Sequence, residues 1–139
     1  MRVLLVVAVL ALGGCCHRLH AAALDVPQGR EHLGRVVAAV TSAAFANGME
    51  AVSPEQDVTG GWWEPQLVCA FAGAADRGCG LWVELDPVGL VVRIQQVTAG
   101  LAEPPEFRSA LNRIRAELQT VVAGVRVREG AEAWSRRRR

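Results

Sequence analysis

Apolar residues change their period along this chain, and each change marks an element. Residues 3–12 are apolar without a break. Further on, Leu33, Val36, Val37, Val40 and Ala44 recur at helical spacing. Asp25 as cap and Pro27 in the first turn open this predicted helix, and Asn47-Gly48 closes it. A short strand at 49–52 stops at Ser53-Pro54, and residues 55–65, with Gly60-Gly61-Trp62-Trp63, read as a loop. From Gln66 the period falls to two. Leu67, Cys69 and Phe71, then Leu81, Val83 and Leu85, then Leu90, Val92 and Ile94 alternate with their neighbours as three antiparallel strands. Pro104-Pro105 opens a second helix, with Phe107, Leu111, Ile114 and Leu118 on one face, Gly124 at its C′ position, and Arg108, Asn112 and Arg113 on a solvated face. Residues 125–128 alternate once more as a charged edge strand. The fold class is α+β: two helices on one face of a small antiparallel sheet, in the order α-β-β-β-α-β.

Turn chemistry sets expected registers. With Asp86-Pro87-Val88-Gly89 as the turn, Leu85 faces Leu90, Val83 faces Val92 and Leu81 faces Ile94, leaving Trp82 opposite Arg93 on the other face. That pair has the composition of a cation–π contact, worth about 0.5–1 kcal/mol. The same reasoning sets Cys69 opposite Cys79 and Leu67 opposite Leu81, with residues 72–76 as the loop. A Cys69–Cys79 disulfide is then geometrically plausible in an oxidising compartment and contributes about 2–3 kcal/mol. The alternative is two buried free thiols.

The amino-terminal segment carries an address. Met1-Arg2 is a positive lead, residues 3–12 are an apolar run, and Gly13-Gly14-Cys15 is a small-residue exit, the pattern of an export signal. Leu12-Gly13-Gly14-Cys15 resembles the lipobox of bacterial lipoproteins. The resemblance implies diacylglycerol on the thiol of Cys15, cleavage before that residue, and a membrane partner reached through the acyl chains. Cys16 is not the aspartate that marks inner-membrane retention in such proteins, so the implied address is the periplasmic face of the outer membrane. A competing small-x-small site, Ala21-Ala22-Ala23, would release a soluble secreted protein from Leu24. A third possibility is an uncleaved cytosolic product. Under the lipobox reading the chain divides into a signal peptide (1–14), a tether (15–26), an α+β domain (27–129) and a basic tail (130–139).

Composition adds limits. The chain has 139 residues, 51% apolar and 21% charged, with a net charge of +1, which suits one compact domain. Its longest apolar run falls short of the roughly 20 residues that cross a bilayer. All basic residues are arginine. Residues 15–123 hold eight arginines against twelve acids and residues 124–139 six against two, so a mildly acidic body carries a basic end. The body lacks the basic face of a nucleic-acid binder. Arg136 to Arg139 read either as a solvated tail or as a contact for anionic headgroups.

Candidate chemistry is sparse. His32 is the only histidine of the expected domain, and no nucleophile elbow, phosphate loop or metal-ligand spacing stands in the sequence. Catalysis, a metal and a cofactor are therefore not expected. The candidate binding surface is Trp62, Trp63, Trp82 and Arg93, with Gln95 beside them on the sheet face away from the helices, since tryptophan and arginine concentrate binding energy at interfaces. In the alternative arrangement the loop of residues 60–65 folds over that face. The element order resembles small envelope lipoproteins that assist lipopolysaccharide or outer-membrane assembly, and also type III secretion chaperones. The function expected is that of an exported, lipid-anchored binding or assembly module for an envelope protein or glycolipid. The alternatives are a soluble secreted enzyme or inhibitor and a cytosolic chaperone-like protein.

Overall fold

The structure, a computed structural model, describes residues 18–27, 29–52, 68–73, 80–86, 90–98, 100 and 102–134. Among the described residues the chain is α+β, with two α-helices and an antiparallel sheet. Its order is β1 (Arg18–Asp25), α1 (Leu33–Ala46), β2 (Glu50–Ala51), β3 (Cys69–Ala72), β4 (Leu81–Asp86), β5 (Val91–Thr98), α2 (Pro105–Val121) and β6 (Arg126–Glu129). Short 3-10 turns at Gly29–His32 and Gly130–Trp134 precede α1 and follow β6. In space the strands run β2-β3-β4-β5-β1-β6. Every neighbouring pair is antiparallel.

The expected order lacked β1. Residues 15–26 were expected to be a tether, with Asp25 capping the first helix; instead Arg18–Asp25 is a strand between β5 and β6, and Asp25 ends it. The reason is double burial. Ala22 and Leu24 point into the core under the helices, while Ala21 and Ala23 lie beneath Ala133 of the final 3-10 turn. A strand covered on both faces loses the apolar–polar alternation that announces a half-buried one. The fold thus begins at least nine residues earlier than the tether reading placed it.

Both helices follow their periodicity. Val36, Ala39, Val40, Ala43 and Ala44 of α1 are buried, as are Phe107, Ala110, Leu111, Ile114 and Leu118 of α2. They share one core with Phe71, Leu81, Val83, Leu85, Val92 and Ile94, so both helices cover the same sheet face. α1 starts at Leu33 rather than near Pro27. It ends at Asn47, where Gly48 takes φ +73°, its N–H donates to Phe45 O at 3.0 Å, and the Met49 N–H reaches Ala44 O at 3.0 Å. These two bonds form a Schellman motif, which needs the left-handed conformation that glycine adopts without steric cost. Buried Met49 then leads into β2, the short strand expected at 49–52.

Two registers differ from expectation. Leu85 pairs with Val92 and Val83 with Ile94, a shift of two residues. A two-residue slip keeps every side chain on its own face, so apolar patterning accepts either register. Charge separates them: the observed one sets Arg93 opposite Glu84, with Asp86 on the diagonal, and opposite charges across a ladder stabilise the pairing. Leu90 is left outside the ladder at φ +47°, held by its buried side chain and by the Val26 N–H, which donates to Leu90 O at 3.0 Å. In the other hairpin Cys69 faces Leu85 rather than Cys79. Cys79 lies outside the described residues, as do the expected turn residues 87–89.

One ion pair locks the sheet's first and last strands. Arg128 donates to both oxygens of Asp25, Nε to Oδ2 at 2.8 Å and a terminal nitrogen to Oδ1 at 2.9 Å, and its other terminal nitrogen donates to Glu132 O at 2.7 Å. The Arg128 and Asp25 side chains are 10% and 3% exposed, so removing either partner takes a counter-charge from a place water barely reaches. Arg128→Ala is expected to cost about 3–5 kcal/mol in urea-induced unfolding, whereas the same change at exposed Arg113 shifts the midpoint little.

Candidate functional site

The sheet face turned away from the helices is built in cross-strand rows. Leu19 faces Val97 in the first row; Ala21, Gln95 and Trp82 form the second; Ala23, Arg93 and Glu84 the third; Asp25, Val91 and Asp86 the fourth. Strand alternation places all of these side chains on one face. Apolar side chains occupy the first row, and charge gathers in the third and fourth.

Trp82 and Arg93 do share that face, but they are not opposite each other. Gln95 faces Trp82. The indole Nε1 of Trp82 donates to Glu84 Oε2 at 3.1 Å. Arg93 lies 3.7 Å from Glu84 Oε1 and 3.1 Å from Asp86 Oδ2. The expected cross-strand cation–π pair is therefore replaced by a chain from the indole through Glu84 and Arg93 to Asp86. This half-buried chain presents an aromatic edge, two carboxylates and a guanidinium in a fixed array, suited to holding a ligand that offers both apolar and hydrogen-bonding groups. Trp62 and Trp63 lie outside the described residues, as do Cys15 and Arg136 to Arg139.

On the helix side, the beginning of β1 brings together polar groups that the sequence left scattered. His20, expected in the tether, is buried; its Nε2 lies 3.1 Å from Thr98 Oγ1 and its ring stands 6.0 Å from that of Phe107. Thr98 Oγ1 also donates to Gly100 O at 2.9 Å. Gln96 pairs with His20 across the ladder and is 7% exposed, and its Oε1 has no hydrogen-bond partner among the described residues. No alternation marks His20, Ala22 and Leu24 in the sequence, because Leu19, Ala21 and Ala23 between them are apolar as well.

Arg108, expected on a solvated helix face, clasps two segments. It donates to Glu103 at 2.9 and 2.7 Å and to Glu129 at 2.7 Å. The hydrogen bond from Arg108 holds the Glu103 carboxyl below the usual glutamate range, with His20 adding a smaller pull in the same direction. A depressed carboxylate stabilises the fold above its unfolded pKa, and that contribution is lost as pH falls through the folded value. The three side chains are about a third to a half exposed, so solvent screening keeps the effect small.

Cys69 is a free thiol packed against the helix-side core, and burial pushes it up to about 11. A thiol held there is protonated at neutral pH and a poor nucleophile. Among the described residues no three His, Cys, Asp or Glu side chains gather as a metal site. No helix among them is long and apolar enough to cross a membrane.

The sequence matches no protein-family model and no curated protein. Among solved structures, the adenosylmethionine decarboxylase of Aquifex aeolicus is similar over 88% of this chain and 95% of that one, at 10% identity and a TM-score of 0.41.

Burial gives Cys69 a measurable signature: iodoacetamide at pH 8 is expected to leave it unmodified in the native protein and to alkylate it in denaturant without added reductant, read by peptide mass spectrometry.

Proposed function

We propose that this chain is an exported lipoprotein of the bacterial envelope, anchored through acylated Cys15, with an α+β domain that binds rather than catalyses. The observation that carries this reading is the position of β1. Its first residue, Arg18, stands three residues after Cys15, so cleavage before Cys15 leaves every strand of the sheet whole. Cleavage after Ala23 would instead remove all of β1 except Leu24 and Asp25, and with it the strand that joins β6 to β5. Buried apolar surface and two ladders of backbone hydrogen bonds would go together. A soluble protein starting at Leu24 is therefore hard to reconcile with this fold.

Several acyl chains, each contributing about 0.8 kcal/mol per buried CH₂, give an anchor that does not leave the membrane on the time scale of function. The proposed address is the periplasmic face of the outer membrane. The proposed binding surface is the outer sheet face around Trp82 and Arg93, where indole, carboxylates and guanidinium stand in one connected array. An envelope protein or a glycolipid would offer the matching mixture of apolar and hydrogen-bonding groups. Rigid strands preorganise the array, which lowers the entropic cost of capture.

Cys15→Ser tests the anchor: the mature protein is expected to lose the acyl mass and leave the membrane fraction, and an unchanged mass and fraction would refute acylation at this residue. The surface is tested separately by crosslinking in intact envelopes, where Trp82→Ala is expected to remove the partner adduct while leaving the thermal midpoint within a few degrees of the parent.

A further inference from the structure

The outer sheet face is polarised along its strands. Of the large apolar side chains that stand exposed, Leu19 at 46% and Val97 at 38% are direct cross-strand partners. Phe45, also exposed, is engaged edge-on with Phe71 at 5.8 Å on the helix side, and Val68 lies at the opposite end of the sheet, its N–H on Leu85 O. The Leu19–Val97 pair thus forms an apolar rim at the end of the sheet where the chain enters β1. One row further in stands the amphipathic ring of Trp82, and beyond it the ion pairs of Glu84, Arg93 and Asp86.

Chain length fixes what this rim meets. Cys15 precedes Leu19 by four residues, so even a fully extended segment separates their Cα atoms by no more than about 14 Å. An acyl group on Cys15 therefore brings the rim to the lipid surface. We propose that Leu19 and Val97 form a membrane-contacting rim that seats in the headgroup–acyl boundary beside the anchor, orienting the domain with its charged rows away from the bilayer. The proposal rests on acylation at Cys15 and adds to it a defined posture.

Dimensions agree with that posture. Interfacial apolar groups sink about 5–10 Å into the boundary. The Glu84–Arg93 row stands four residues along the strand from the rim, about 14 Å away, and so stays in water. On the helix side of the same end, Glu103 and Arg108 are polar and exposed, so the domain tilts onto its outer face rather than standing upright.

The test uses the natively acylated full chain in vesicles of phosphatidylethanolamine and phosphatidylglycerol. Cys16, Cys69 and Cys79 are replaced by alanine, and one new thiol, from Val97→Cys, Leu19→Cys or Val68→Cys, carries an environment-sensitive nitrobenzoxadiazole dye. Circular dichroism verifies folding of each variant, and the two rim positions are independent probes. Emission is expected to shift to shorter wavelength on vesicles at positions 97 and 19 and to stay unchanged at 68. If the protein carries its acyl mass and floats with vesicles while all three positions report water, the rim is refuted and the anchor stands. A protein without acyl mass that does not float refutes both.

Discussion

The sheet depends on Arg18–Asp25 lying between β5 and β6, because this strand bonds on both edges and is covered on both faces. Ala22 and Leu24 complete the floor on which the helices sit, while Ala21 and Ala23 are small enough for the final 3-10 turn to close over them. Asp25 at its end is paired with Arg128, which also donates to the Glu132 carbonyl oxygen. Burial of the strand, pairing of β6 and closure of the last turn are thus one arrangement, held by apolar contact on one side and by a bidentate ion pair on the other.

Legibility in the sequence followed the physics of each element. The second helix was readable because Phe107, Leu111, Ile114 and Leu118 repeat at helical spacing behind two prolines, and all four are buried, with Ala110 among them. The end of the first helix was readable from Asn47-Gly48, since few residues tolerate the geometry Gly48 adopts. β1 was not readable. Its alanine-rich run has weak strand preference, has no polar face, and sits directly behind an export-like segment that invited assignment as a tether.

The candidate surface was legible in part for a related reason. Alternation placed Trp82 and Arg93 on the face away from the helices, which is where they stand, because sidedness is set by a period of two. Their mutual distance depends on register, and register here is chosen by Glu84 and Asp86 meeting Arg93, a term that apolar patterning does not contain. His20, Gln96, Leu19 and Val97 became visible as site residues only once β1 was recognised, since each takes its surroundings from the β1–β5 ladder.

The placement of β1 beside β6 has a kinetic consequence. Asp25 and Arg128 are 103 residues apart, so the ladder that closes the sheet joins nearly the two extremes of the domain. Loop closure over such a distance is entropically slow, and contacts of this range delay folding relative to helical proteins of similar size. A ribosome that has not yet released residues 126–129 holds a chain whose β1 has only one of its two neighbours and whose Asp25 has not yet met Arg128. Such a chain cannot close its sheet until its last strand emerges.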